Sequence, residues 1–254
     1  MIKTFDLTKN FGTKTAVAGL NFEVHPGEIV GFLGPNGAGK TTTVKMLTGM
    51  ILPTRGTATV AGFDIVRQPV EVKRRIGFVP ESGALFETLS GWEYLQFIAD
   101  LHHLDRAVSE KRADEFLDLF GILPEKDQRL QEYSKGMKQK VLIAAALIHD
   151  PEVIFLDEPL NGLDANAALV FKEVMKRLSS QGKTVLFCSH ILYVVEKICQ
   201  MIIIISEGRI ISEGSAESIA AATGEKNLEE AFCRLTGVRD ARESAEDFLQ
   251  ALGH

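Results

Sequence analysis

From Ile2 to Val24 the chain runs in short stretches of alternating apolar and polar residues, interrupted at Phe11-Gly12 and closed by Pro26-Gly27. A period of two with glycine and proline punctuation predicts antiparallel strands joined by turns, lying as a sheet at the edge of the molecule. The pattern then changes. Glu28 to Leu33 is an apolar strand segment entering a glycine-rich stretch, and Lys40 to Met50 places Val44, Leu47 and Met50 at helical spacing. The order is strand, glycine loop, helix.

Helical periodicity takes over between about Glu87 and Asp150. Trp92, Leu95, Ile98 and Leu101 predict one apolar face, and Phe116, Leu119 and Phe120 another. Three short runs follow, Val153 to Leu156, Thr184 to Cys188 and Met201 to Ile205, separated by helical stretches at Ala167 to Leu178 and Leu192 to Cys199. Strands apolar on both faces belong to a parallel sheet covered by helices. Beyond Gly224 the chain is acidic and helix-prone, with Phe248, Leu249 and Leu252 at helical spacing near its end. The whole pattern predicts an α/β fold: a mostly parallel core sheet, an N-terminal antiparallel β subdomain and a helical subdomain inserted at about 87–150. One domain over 1–224 and a helical tail over 225–254 are expected.

Composition narrows the class. With 254 residues, 45% apolar and 24% charged, a sizeable core is expected. A net charge of −6 with dispersed Lys and Arg argues against a basic nucleic-acid surface, so no nucleic-acid partner is expected. Met1 to Leu7 lacks the basic start and long apolar run of a signal peptide, and no apolar run approaches the roughly 18 residues that span a bilayer. A cytoplasmic location is expected. Three cysteines without C-x-x-C spacing favour neither a disulfide framework nor a zinc site.

Four segments carry the chemistry. Gly34 to Thr42 reads G-P-N-G-A-G-K-T-T. Gly34, Gly37 and Gly39 let the backbone turn so that N–H groups of the loop, which Pro35, Asn36 and Ala38 complete, face phosphate oxygens ahead of a helix dipole. Lys40 supplies positive charge for the β- and γ-phosphates, the Thr41 hydroxyl suits magnesium, and Thr42 serves the α-phosphate side. At the end of a buried strand Asp157 is expected on the metal side and Glu158 as general base. His190, after the strand Thr184 to Cys188, would orient water and sense the γ-phosphate. His25, His102, His103, His149 and His254 are expected to be solvated or turn residues. Tyr133 to Met137 (Y-S-K-G-M) opens an apolar helix through Val141, Leu142 and Ala145 that Ser134 can cap. These parts predict magnesium-dependent hydrolysis of ATP to ADP and phosphate.

With these segments in this order, the chain from about Ile2 to Gly214 resembles the nucleotide-binding subunit of ATP-binding cassette (ABC) transporters. It is most similar to single-cassette subunits of bacterial export systems, whose signature often reads Y-S-x-G-M-K-Q. The resemblance implies a head-to-tail pair of cassettes, identical or merely similar, with ATP held between one glycine loop and Ser134, Lys135 and Gly136 of the other chain. Tyr133, Lys135 and Met137 depart from the commoner L-S-G-G-Q. Asp164, in N-G-L-D, matches the loop that couples the two sites. Phe11 matches the aromatic residue stacked on adenine, with Val17 as neighbour. Glu81, in V-P-E-S, replaces the usual glutamine; an ionised carboxylate only accepts hydrogen bonds and suits the metal, and the resemblance implies that it also links the metal to the docking region.

Leu85, Phe86, Leu89, Trp92 and Tyr94 fall where the family's groove receives a cytoplasmic helix of the membrane subunit, with core packing as the other reading. Leu228 to Gly237 resembles the tails of related export cassettes, which favours a packed helix. The implied partner is a separate transmembrane permease that holds the chain at the inner face of the cell membrane, with export the expected direction. A soluble cassette ATPase acting on DNA, ribosomes or division machinery would bring a second cassette, coiled-coil arms, zinc-type cysteine pairs or a basic face. A P-loop kinase or binding-only regulator would leave Tyr133 to Met137 and His190 without a role.

Overall fold

The computed structural model describes residues 1–81 and 83–238. The alternating N-terminal stretch folds as β1 (Ile2–Phe11), β2 (Lys14–Leu20) and β3 (Glu23–Val24). β4 (Ile29–Leu33), the glycine loop and α1 (Lys40–Leu47) follow, then β5 (Arg55–Val60), β6 (Phe63–Asp64), α2 (Pro69–Arg75) and β7 (Ile76–Val79). The helical part comprises α3 (Gly91–Leu101), α4 (Arg106–Leu119), single 3-10 turns at Leu123–Glu125 and Leu130–Glu132, and α5 (Lys135–Leu147). The chain returns through β8 (Val153–Asp157), α6 (Ala165–Ser180), β9 (Thr184–Cys188), α7 (Leu192–Ile198), β10 (Met201–Ser206) and β11 (Arg209–Gly214), and continues as α8 (Ala216–Thr223) and α9 (Leu228–Thr236).

Two sheets result. The smaller has the order β2-β1-β5-β6, with β3 also on β1, and its strand pairs are antiparallel. The larger has the order β11-β10-β4-β9-β8-β7 and is parallel from β10 to β7, with β11 as an antiparallel edge. Every residue of β4, β8 and β9 is buried, which explains why their sequences show apolar runs rather than alternation. Side chains still alternate in destination. Ile29, Leu33, Ile154, Leu156, Val185 and Phe187 enter the core shared with the helical part, while Val30, Phe32, Val153, Phe155, Leu186 and Cys188 enter the core under the N-terminal sheet and α1. Each fully buried Phe or Ile is worth roughly 1.5–3 kcal/mol of transfer free energy. The large sheet is thereby clamped from both sides.

The helices differ from expectation in three places. α1 ends at Leu47 rather than Met50, because Gly49 takes φ +67 and the Thr48 hydroxyl donates back to the Val44 carbonyl at 2.9 Å. The buried stripe of α3 runs through Tyr94, Leu95 and Ala99, and Leu101 is 60% exposed. In α4 the buried positions are Ser109, Ala113 and Leu117, with Leu119 exposed. Small residues at the α3–α4 contact let the helices approach, and the Ser109 hydroxyl bridges them by donating to Gln96 Oε1 at 2.7 Å. Leu228 and Ala231 of α9 are buried in the same core as Val194 and Val195 of α7, so the stretch from Leu228 is a packed helix. Phe248, Leu249, Leu252 and His254 lie outside the described residues. No described helix is long and apolar enough to cross a membrane.

Candidate active site

Parallel β4, β7, β8 and β9 all deliver their carboxyl ends to one edge of the large sheet. There the glycine loop leaves β4, Glu81 follows β7, Asp157 and Glu158 end β8, and Ser189 and His190 leave β9. Ligands of open α/β sheets bind at this edge, where the connections switch direction. A cavity of about 600 Å³ opens here, lined by Phe11, Lys14, Ala16, Asn36, Gly37, Gly39, Lys40, Thr41, Thr42, Glu81, Asp157, Glu158 and His190.

The loop has its shape because Gly37 and Gly39 take φ +80 and +108, and a Cβ on Gly39 would come within 2.5 Å of the Ala16 carbonyl. Gly34 abuts the Ile205 carbonyl just as closely. Gly208 N donates to the Ala38 carbonyl at 3.0 Å and Ala18 N to the Gly208 carbonyl at 2.9 Å, which fastens the loop between β2 and the β10–β11 turn. Lys40 Nζ donates to the Gly34 carbonyl at 2.6 Å and to that of Pro35 at 3.2 Å. The ammonium thus stands over the amino end of α1, where unpaired backbone N–H groups and the dipole favour an anion.

Asp157 is only 2% exposed, and its Oδ2 has no hydrogen-bond partner among the described residues. Burial pushes its carboxyl above the usual carboxylate range; the Thr41 hydroxyl bonded to it and the Lys40 charge oppose the rise, and Glu81 and Glu158 add to it. An orphaned buried carboxylate oxygen beside a threonine hydroxyl and a second acid is a set of hard oxygen donors that fits a divalent cation.

Glu158 is 8% exposed and holds φ +52, a strained value for a residue with a side chain. Its N–H donates to the Cys188 carbonyl at 3.0 Å. Its Oε2 lies 2.8 Å from His190 Nδ1 and accepts from the buried Ser189 hydroxyl at 3.4 Å. With Nδ1 engaged, Nε2 of the exposed His190 ring is left for other partners.

Of the other expected residues, one reaches the cavity and the rest do not. Phe11 stands at the cavity, 52% exposed, whereas Val17 is fully buried in the core and lines no part of it; neighbouring Ala16 does. Ser134 and Lys135 are exposed, and neither they, Gly136 nor Asp164 reach the cavity. Ser134 caps α5 by accepting from Met137 N at 3.2 Å. Asp164 caps α6 by accepting from Ala167 N at 2.8 Å and pairs with Lys140 at 2.9 Å, and both contacts hold its carboxyl below the usual range. His149 stands in the turn that follows α5, as one of its two expected settings, but it is half-buried rather than solvated and stacked on His102. Lys14, Ala16 and Ser189 escaped the sequence reading, since none stands in a recognisable motif and only strand pairing brings them to the site.

Glycine loop, helix and strand-end acids together define a P-loop nucleotide-binding domain. A family model described as ABC transporter matches residues 17–161. The chain is 40% identical to the ABC transporter ATP-binding protein NatA of Bacillus subtilis (strain 168), covering 91% of this chain and 96% of that protein. It is 37% identical to the Nod factor export ATP-binding protein I of Paraburkholderia xenovorans, over 84% and 70% of the two chains. A solved ATP-binding subunit of an ABC transporter superposes with a TM-score of 0.88 at 31% identity, covering 93% of this chain and 99% of that one. A dimeric ATP-binding cassette in a post-hydrolysis state bound to ADP and Pi superposes at 0.79 with 25% identity, over 85% and 98%. The chain belongs to the ABC transporter family, as an ATP-binding subunit.

Proposed function

We propose that the chain is a magnesium-dependent ATPase that powers an exporter as one of a pair of cassettes. The observation that carries the chemistry is the convergence of Lys40, Asp157, Glu158 and His190 on one 600 Å³ cavity. The loop N–H groups and Lys40 bind the β- and γ-phosphates, Thr42 the α-phosphate side, and Phe11 the adenine. Thr41, Asp157 and Glu81 would hold Mg²⁺, which when bound supplies positive charge against the phosphate oxygens. Glu158 takes a proton from the attacking water, and His190, held through Nδ1, orients that water and the terminal phosphate.

Ser134, Lys135, Gly136 and Asp164 lie outside the lining of the chain's own cavity, which supports their serving the site of a second cassette. Phe86, 58% exposed and edge-on to Phe97 at 5.3 Å, supports docking of a separate transmembrane permease; Leu85, Leu89 and Trp92 pack against the core beneath. That permease would hold the chain at the inner face of the membrane. Export is supported by the relative named for Nod factor export.

The test is Glu158→Gln. ATP binding is expected to persist while hydrolysis slows by about 10²- to 10⁴-fold; wild-type turnover would remove Glu158 from the base role. Purified with magnesium ATP from detergent-solubilised cells, the same variant is expected to carry a multi-span membrane protein in fixed ratio. A soluble complex without one would overturn the transporter reading.

A further inference from the structure

We infer that Lys9 is a positioning residue for the nucleotide base, holding the Phe11 ring through a cation–π contact. The inference rests on the reading of Phe11 as the base platform. Phe11 is the last residue of β1 and, apart from His190, the one aromatic among the described residues lining the cavity. At 52% exposure its neighbours alone would not fix the ring. Lys9 Nζ stands over it, 5.1 Å from the centroid. Lys9 is absent from the cavity lining, so the ammonium touches the ring without lining the space in which a base would stack.

The ammonium is itself anchored. It donates to the Leu52 carbonyl at 2.7 Å, in the segment that leaves α1. That segment is tied to the end of β1 by Asn10 N donating to Thr54 Oγ1 at 3.0 Å and by Thr54 N donating to the Thr8 carbonyl at 2.8 Å. A cation fixed against one face of an aromatic ring attracts its quadrupole and restricts its rotation. Stacking a base on a ring already held costs less ordering entropy than stacking on a free one. Lys9 thus sets the base platform in register with the helix that carries the phosphate loop.

Calorimetric titration of magnesium ATP and magnesium tripolyphosphate, which has the phosphates without the base, separates the roles. Lys9→Met keeps the alkyl stem, and it is expected to weaken ATP binding about two- to five-fold, the scale of an exposed cation–π contact, with tripolyphosphate unchanged. Lys9→Arg should restore ATP affinity, because a guanidinium also rests on a ring face. In a Phe11→Ala background Lys9→Met should have no further effect. Equal losses for both ligands would reduce Lys9 to a structural tie for the 50–55 segment, and full ATP affinity in Lys9→Met would overturn the inference. If Phe11→Ala alone leaves the preference for ATP over tripolyphosphate intact, the platform reading fails, an outcome distinct from failure of Lys9 with Phe11 still mattering.

Discussion

His149 shows how much one half-buried side chain can impose. Its Nε2 lies 2.9 Å from the Ile76 carbonyl, its Nδ1 is buried without a hydrogen-bond partner among the described residues, and its ring stacks on His102 at 3.6 Å. Nε2 therefore carries the proton of a neutral ring. Burial first, then His102 and Arg112, lower its pKa to about 4, against the opposing Ile76 carbonyl and Asp150; burial and His103 lower His102 as well. A folded pKa below the unfolded 6.5 means that the unfolded chain binds more protons between pH 6.5 and about 4. Stability is then complete above pH 6.5 and falls as pH drops through that window, by on the order of 3 kcal/mol at its lower end. His149→Gln keeps a donor for the Ile76 carbonyl and removes the titration. Urea midpoints at pH 7.5 and 5 should lie closer together in that variant, and an unchanged gap would clear His149 of the effect. None of this was legible in the sequence, because His102 and His149 meet only when α3 and the end of α5 pack. Gly34 to Thr42, Asp157 and Glu158 were legible because phosphate chemistry dictates their types and spacing, whatever their surroundings.

At the scale of elements, the start of α5 is riveted to the segment joining β8 to α6. Gln139 Nε2 donates to the Pro159 carbonyl at 3.0 Å, Lys140, with a side chain only 13% exposed, pairs with Asp164, and Gly136 lies so close that a Cβ would stand 2.5 Å from the Gly162 carbonyl. The segment begins at Glu158, whose φ of +52 is held by the surrounding bonds. Gly136→Ala should therefore do two things at once. It should cost about 1–3 kcal/mol through overpacking, read as a lower denaturation midpoint, and it should slow turnover, by shifting the segment that holds Glu158 and by disturbing the end of α5 offered to a second cassette. A lowered midpoint with full turnover would show that the strain stops short of Glu158. Sequence patterning found β4, β8, β9 and β10, whose apolar runs are unbroken, but passed over β5, β7 and β11. β7 is four residues long, and in β5 and β11 glycine, serine and threonine dilute the alternation. Of the faces predicted for α3 and α4, Trp92, Leu95, Ile98, Phe116 and Phe120 do meet the core and only Leu101 and Leu119 are exposed; Ala99 and Ala113 were missed because alanine carries little hydrophobic signal.

For the whole molecule, the position of Ser134 decides whether one chain suffices. Its hydroxyl caps α5 from an exposed site outside the cavity that gathers Lys40 and Glu158, so it can serve phosphate only across a dimer. Ser134→Asp separates the two roles. Aspartate caps a helix as well as serine does, so the fold and the chain's own glycine loop should stay intact, while its charge repels a partner's γ-phosphate. Ser134→Asp should keep ATP affinity and lose turnover; Lys40→Ala should lose both. Mixed together, the two inactive variants form some pairs in which an intact Ser134 meets an intact Lys40. With random pairing half the dimers are mixed, each with one good site of two, so turnover of about a quarter of wild type is expected if the sites fire independently. Full turnover by Ser134→Asp alone would place catalysis within one chain and remove the signature segment from the site. Recovery on mixing, from two proteins that each fail, has no explanation in which each chain works by itself.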